Sequence, residues 1–218
     1  LPEMASRLHL RHILTLTKKA LDISELNLSD ISAIAVSINP GLIGSLIVGL
    51  AFAKSLAWSL SLPLVTVNHM LAHIFANCIE HKEIKPPFLA MVVSGGHTEL
   101  VQFDTLVSFQ IVGKTLDDAA GESFDKTAKL LGLGFPGGPI IDDLAKNGNP
   151  DFIRFPRALP QKDNFNFSYS GLKTAIRTWL VNQKPEILND KLPDIAASVQ
   201  QAIIEPLVNK SVLWARQH

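Results

Sequence analysis

The sequence predicts an α/β protein in two parts, and the order of its strands and helices carries that prediction. Before residue 86, short β-branched runs alternate with apolar helices, which is typical of a parallel sheet covered by helices. After residue 87, three strands come in direct succession and helices follow, which predicts a second sheet. The stretch "KPPF" at 85–88 has a proline pair and is the predicted linker. The predicted domains are therefore 1–86 and 87–218.

The first part is predicted from hydrophobic spacing and β-branched runs. Its elements are, in order, a helix near 3–21, a strand at 31–39, a helix within 41–62, a strand at 62–68 and a helix carrying two histidines. The long apolar stretch contains Lys54 together with several glycines and serines. We therefore expect a buried helix there rather than a membrane span.

The second part opens with "FLAMVVSGGHTELVQF", which predicts two strands around a Gly-Gly turn, and "SFQIVGKT" predicts a third. Four helices are then expected, near 116–131, 139–147, 170–182 and 193–215. In the first of these, the apolar stripe is Leu116, Ala120, Phe124 and Ala128. Ser170 is expected to cap the third of these helices through its hydroxyl.

Composition limits the classes of function. The chain has 218 residues, is 47% hydrophobic and carries twenty basic against twenty acidic residues, so it can form a core and is not a strongly basic module. Local or partner-assisted RNA binding stays open. The single cysteine, Cys78, excludes an internal disulfide and fits a reducing compartment. Because the chain starts at Leu1 and ends inside an apparent helix, we expect it to be a piece of a longer protein.

His69 and His73 are four residues apart and share one helical face, which suits two ligands of one metal ion. Two ordinary helix histidines are the alternative. The helical zinc-peptidase pattern needs a glutamate directly after the first histidine as general base, and Met70 stands there. A peptidase of that class is therefore disfavoured.

Several polar motifs of the second part have both a binding and a structural interpretation. The glycines of "VSGGH" would let backbone N–H groups approach an anion, or they form an ordinary hairpin. The polar face of "LDDAAGESFDKTAK" holds Asp125 and Lys129, which could bind a ribose or form a solvated ion pair. The "GFPGGP" loop could accept a phosphate or a flat base at a helix start, or be a tight connection. Lys173 and Arg177 could meet phosphates or lie on a solvated face.

The order of these motifs resembles one family. The stretches are "PEMASRLH", "NPGLIGSLIVGLAFAKSLA", "NHMLAH", "VSGGHTEL", "TLDDAAGESFDKTAKLLGLGFPGGP" and "FSYSGLKTAIR". Together they closely resemble the TsaD/Gcp family, the tRNA N6-adenosine threonylcarbamoyltransferases once called O-sialoglycoprotein endopeptidases. The resemblance implies an actin-like, Hsp70-like (ASKHA) two-lobed fold. It also implies transfer of a threonylcarbamoyl group from threonylcarbamoyl-AMP to N6 of the adenosine beside the tRNA anticodon.

The resemblance also assigns roles to residues. By motif, His69 and His73 match the histidine ligands of one divalent metal per subunit, iron or zinc. The adenylate-binding turn is matched by Val92, Val93, Ser94, Gly95 and Gly96. Asp125 and Gly138 match the residues that hold the ribose and base side of the nucleotide. The implied partners are tRNA, a shorter family relative and a small ATPase of the threonylcarbamoyl machinery, with no membrane and a cytoplasmic location (mitochondrial in a eukaryote).

The chain departs from the family pattern at both ends. The family's opening strand with its acidic residues is missing, and the asparagine-containing nucleotide motif and the aspartate that is the third metal ligand would lie beyond His218. Both lobes are therefore expected to be incomplete and this chain alone inactive. Two alternatives stay open: an inactive fragment or paralogue that serves as a partner-binding subunit, and a phosphotransferase of the same ASKHA fold.

Overall fold

The computed structural model describes residues 2–218, apart from the side chains at positions 2, 185, 186 and 189. The chain forms two compact units, one ending at Lys82 and the other covering Glu83–His218. Both contain strands and helices, so the predicted α/β class is confirmed.

The first unit follows the predicted order. Its elements are α1 (Pro2–Ser24), β1 (Ile34–Asn39), α2 (Ile43–Leu60), β2 (Leu64–Asn68) and α3 (His69–Glu80). The two strands pair in parallel, with Ile34 opposite Leu64 and Ser37 opposite Val67, which confirms the predicted parallel layer. Asn68 ends β2 and caps α3, because its side-chain oxygen accepts the N–H groups of Met70 at 2.8 Å and Leu71 at 3.1 Å.

The apolar helix α2 is not buried as expected. Only Ala53 and Ala57 among its residues are buried, while Trp58 is 89% exposed and Ile43 is 75% exposed. A sheet of two strands offers little surface against which an 18-residue helix can pack. By length and composition, α2 is the one helix in the described part of the chain that could cross a membrane.

The second unit contains an antiparallel sheet followed by helices, as predicted. Its elements are β3 (Phe88–Val93), β4 (Thr98–Phe103), β5 (Phe109–Lys114), α4 (Ala120–Leu130), α5 (Gly137–Ala145), α6 (Ser170–Val181), α7 (Pro185–Asp190) and α8 (Leu192–Gln217). The strand order is β3-β4-β5. The short helix α7 was not predicted, because six residues between two longer helices give too little periodicity to detect.

The core of the second unit lies between β4 and the helices. It contains Leu100, Ala120, Phe155, Phe167, Tyr169, Leu172, Ile176, Val199, Ala202, Ile203 and Leu207. Lys210 of α8 is also buried and donates from Nζ to the carbonyl oxygens of Asn164 at 2.7 Å and Asn166 at 2.5 Å. Burial lowers the pKa of Lys210. These bonds fix the loop that leads into α6.

A carboxylate from outside α6 caps that helix, so the prediction that Ser170 is the cap was wrong. Asp117 accepts the N–H of Tyr169 at 2.7 Å and that of Ser170 at 3.3 Å, together with the hydroxyls of Ser168 at 2.5 Å and Ser170 at 2.8 Å. Partial burial alone would raise the pKa of Asp117, but these hydrogen bonds outweigh it and hold that pKa below its ordinary value.

The same contact explains where α4 starts. The predicted helix began near 116, but residues 115–119 form a loop and α4 starts at Ala120. Leu116, assigned to the apolar stripe of the helix, is 59% exposed, whereas Ala120 and Ala128 are fully buried. Helical periodicity cannot show that Asp117 is needed by a helix more than fifty residues further along the chain.

We predict that Asp117→Ala destabilises the protein by about 1 kcal/mol at neutral pH, the usual cost of losing a helix cap. Because the native pKa of Asp117 is lowered, its contribution is present above the ordinary aspartate pKa of about 3.9 and is lost as the pH falls through the lower native value. Urea denaturation between pH 3 and 7 should therefore show the largest difference from wild type at the upper end.

Asp163→Ala is the matched control, since Asp163 is exposed in the neighbouring loop. It should leave the denaturation midpoint unchanged. Equal effects of the two substitutions would contradict the capping role of Asp117.

Candidate functional site

The turn between β3 and β4 is the first part of the candidate site. The N–H of Ser94 donates to the carbonyl of His97 at 2.8 Å, and the Ser94 hydroxyl oxygen accepts the N–H groups of Gly96 at 3.3 Å and His97 at 3.0 Å. A side chain at Gly95 or Gly96 would meet no atom within 4 Å. Open space therefore lies on the side of Gly95 and Gly96 where a Cβ would stand, and the Ser94 hydroxyl holds the turn through two hydrogen bonds.

The strand residues predicted with this turn differ in exposure. Val92 is buried and Val93 is 46% exposed, and they pair with Glu99 and Thr98 at the end of the hairpin. As the last two residues of β3, Val92 and Val93 lead the backbone into the turn at Ser94.

The start of α4 packs directly on the turn through Gly121. The N–H of Gly121 donates to the carbonyl of Ser94 at 3.2 Å, and the N–H of Ala120 donates to the Thr98 hydroxyl at 2.9 Å. A Cβ at Gly121 would lie 2.6 Å from the Ser94 oxygen and 2.9 Å from the Gly95 Cα. The positive end of the α4 dipole is thus held beside the glycine backbone, which favours an anion there.

Sequence reasoning missed Gly121. The signal available was a glycine inside a predicted helix, which is unfavourable unless another backbone approaches closely.

The second part of the candidate site is the start of α5, where Asp125 and Gly138 lie near each other. One carboxylate oxygen of Asp125 accepts the N–H of Gly137 at 2.7 Å, so Asp125 caps α5. Gly137 is buried, and a Cβ there would lie 2.5 Å from the Ala128 Cβ. Gly138 is different, because the atom nearest to a Cβ added there would be the Phe124 Cβ, 4.0 Å away.

On this face of α4 the structure pairs Lys126, and not Lys129, with carboxylates. Lys126 lies 2.5 Å from the Asp118 carboxylate and 2.9 Å from that of Glu122. These hydrogen bonds raise the pKa of Lys126, that from Asp118 most. Asp125 is instead held by the Gly137 amide.

The histidine pair belongs to the first unit. His69 and His73 are exposed on the first turns of α3, and their Nε2 atoms are 3.1 Å apart with the rings edge to face. Two nitrogens bound to one ion at about 2.1 Å, at an angle of about 90 to 110°, would be about 3.0 to 3.4 Å apart. The separation therefore fits two ligands of one metal, and it equally fits a hydrogen bond between two neutral rings.

The described side chains do not complete a metal site around the two histidines. Among those side chains, no cluster of three or more His, Cys, Asp or Glu could hold an ion. A catalytic site usually has three protein ligands. The predicted dependence on a third ligand from elsewhere is therefore unchanged.

The comparison with known proteins identifies the family. A family model described as "tRNA N6-adenosine threonylcarbamoyltransferase" (TsaD) matches residues 1–217. The chain belongs to this family, which gives the actin-like, Hsp70-like fold predicted from its motifs.

Curated relatives carry the same description. The protein from Clostridioides difficile (strain 630) is 48% identical over 97% of this chain and 62% of its own length, and that from Syntrophotalea carbinolica is 50% identical over 99% and 63%. For the protein from Chlorobium luteolum, the values are 49% identity over 100% and 66%. The chain thus spans about two thirds or slightly less of these relatives, consistent with the expected incomplete lobes. Among solved structures, YeaZ from Pseudomonas aeruginosa is similar at 19% identity with a TM-score of 0.36, over 48% of this chain and 53% of that chain.

We predict that Gly121→Ala destabilises the protein by about 1 to 3 kcal/mol, the usual cost of an overpacked contact. The added methyl would overlap the Ser94 carbonyl, so either the turn or α4 must move. Gly171→Ala, also in the first turn of a helix but in open space, should be neutral or slightly stabilising. Urea denaturation of both variants tests this, and equal stabilities would contradict the close packing of α4 on the turn.

Proposed function

We propose that this chain acts in the transfer of the threonylcarbamoyl group from threonylcarbamoyl-AMP to N6 of the adenosine beside the tRNA anticodon. The match of the family model to residues 1–217 carries the proposal. In the reaction, N6 forms a bond to the carbamoyl carbon, the bond from that carbon to the AMP oxygen breaks, and N6 loses a proton. No serine or cysteine nucleophile is required.

The adenylate is proposed to bind at the turn and the two helix starts of the second unit. Its phosphate would lie against the turn of Ser94, Gly95 and Gly96, beside the positive end of α4. The N–H groups of Ser94 and Gly96 already donate within the turn, so the Gly95 N–H would be the donor to the phosphate. Asp125 uses one carboxylate oxygen on Gly137, which leaves the other for a ribose hydroxyl. Open space at Gly138 supports a flat base lying against α5.

His69 and His73 are proposed to hold one divalent ion, iron or zinc, with a third ligand from outside this chain. Asn68 fixes the first turn of α3 and thereby the spacing of the two rings. A bound ion would act as a Lewis acid toward the carbamoyl oxygen, on which negative charge builds as the amine attacks.

The proposed partners are tRNA, a shorter family relative and a small ATPase, in the cytoplasm and without a membrane. The apolar surfaces of α1 and α2 support a protein partner, since Leu10 is 70%, Ile47 60% and Trp58 89% exposed. The same exposure favours the second candidate function, a non-catalytic subunit that binds a partner through the first unit.

The decisive experiment uses the chain extended to the length of its relatives. This protein is incubated with threonylcarbamoyl-AMP, an unmodified tRNA transcript and partner subunits from a relative. Modified adenosine is measured by mass spectrometry of the digested tRNA. Product with the extended chain supports the transferase. If relatives form product under the same conditions and this extended chain does not, the non-catalytic alternative is favoured.

We predict that Gly138→Val in the extended chain lowers the affinity for a threonylcarbamoyl-AMP analogue in calorimetry and leaves the thermal midpoint nearly unchanged. The added methyl groups would occupy the space next to α5, where the protein itself offers no contact closer than 4.0 Å. Gly171→Val is the control, because it makes the same change in another open helix start. Unchanged affinity in Gly138→Val would place the nucleotide elsewhere.

We predict that the 218-residue chain binds iron or zinc weakly and that an extended chain retains about one ion per molecule after dialysis. Disturbing even a residue behind a ligand typically costs about 10 to 100-fold in metal affinity, and a missing direct ligand should cost at least as much. Metal content is measured by mass spectrometry. Tight, stoichiometric metal in the short chain that persists in His73→Ala would show that other residues are the ligands.

A further inference from the structure

A groove of about 730 Å³ runs along α6 in the second unit, and it shares no lining residue with the Ser94–Gly96 turn or the α5 start described above. We call it the α6 groove; its lining includes Lys126, Ser170, Lys173, Thr174, Arg177 and Thr178. The α6 residues repeat at helical spacing, so they form a polar stripe opposite the buried Leu172 and Ile176.

The carboxylates around the groove are already engaged. Asp118 and Glu122 are paired with Lys126, and Asp117 accepts hydrogen bonds from residues 168–170. Lys173 and Arg177 are exposed, and neither forms an ion pair within 4.0 Å in the described part of the chain. Three basic side chains, Lys126, Lys173 and Arg177, balance these three carboxylates in formal charge. Among the described residues, Lys173 and Arg177 are the two of these cations that no carboxylate contacts, so their charges are available to an anionic ligand.

The arrangement suits an extended anion rather than a small one. Lys173 and Arg177 are one turn apart, about 6 Å along the helix axis, and the stripe from Ser170 to Asn182 is about 18 Å long. Side chains four residues apart on a helix can reach one phosphate, so the length of the stripe, and not the spacing of its two cations, favours the extended anion. Hydroxyls of Ser170, Thr174 and Thr178 lie along the same stripe, which suits successive phosphates and sugars of a nucleic acid strand.

We propose that the α6 groove binds the sugar–phosphate backbone of the substrate tRNA through Lys173 and Arg177. This inference rests on the proposed function for the identity of the RNA. It gives the protein a contact that is independent of sequence, which positions the tRNA while other groups select the adenosine.

The test measures binding of the 218-residue chain to a fluorescent, unmodified tRNA by anisotropy at several salt concentrations. Lys173→Ala/Arg177→Ala should weaken binding roughly tenfold and reduce the slope of log affinity against log salt by about 1.4 to 1.8, the value for two lost phosphate contacts. Lys129→Ala/Lys162→Ala removes the same charge from exposed positions outside the groove and should change both quantities much less. Lys173→Arg/Arg177→Lys keeps the charge and should bind like wild type, with thermal melting showing that all variants fold.

Three results would overturn the proposal: wild-type chain that does not bind tRNA, equal loss in both alanine pairs, or full displacement of the tRNA by AMP or inorganic phosphate. The proposed function is judged separately in the extended chain. There, Lys173→Ala/Arg177→Ala should raise the KM for tRNA and leave adenylate affinity unchanged. An extended wild-type chain that forms no product, while its tRNA binding still depends on the groove, would reject the transferase and not the groove.

Discussion

The carboxylate of Asp117 accepts hydrogen bonds from Ser168, Tyr169 and Ser170 and so joins the end of β5 to the start of α6. Two further backbone bonds reinforce the junction, from Phe167 to Lys114 and from Leu116 to Phe167. The position of α6 decides where Leu172 and Ile176 enter the core and where the polar stripe faces outward. The four hydrogen bonds accepted by the Asp117 carboxylate are strong, because hydrogen bonds to a charged group are stronger than those between neutral groups. This contact holds the start of α6, the helix that lines the α6 groove on one face and enters the core on the other.

The candidate nucleotide site depends on a different constraint, the close approach of helix starts to neighbouring backbone. Gly121 allows α4 to reach the Ser94 carbonyl, and Gly137 allows α5 to reach Ala128. At Gly121 and Gly137, neighbouring atoms already occupy the space that a Cβ would need. Gly95, Gly96 and Gly138 instead border open space. The distinction separates glycines that the fold needs from glycines that a ligand would need. The Asp125 oxygen that caps α5 also fixes the direction in which the other carboxylate oxygen faces.

The first unit illustrates how much a helical register can do by itself. Spacing of four residues and a capped first turn bring two imidazole nitrogens to 3.1 Å without help from any other element. The remainder of that unit has little buried apolar surface, because α2 buries only Ala53 and Ala57 beside a sheet of two strands. Its exposed apolar surface is the physical basis for expecting further protein contacts there.

The sequence by itself determined the strand and helix order, the parallel and antiparallel sheets, and the pairing of His69 with His73, because periodicity and spacing are local properties. Its order of motifs also identified the family. Only the tertiary structure decided that Asp117 rather than Ser170 caps α6, that Lys126 rather than Lys129 is the paired lysine, and that Gly121 packs on the Ser94 turn. Each of these contacts joins residues from different elements, or depends on where a helix starts once such a contact has formed. Local pattern carries no information about them, because the partner becomes a neighbour only when the chain has folded.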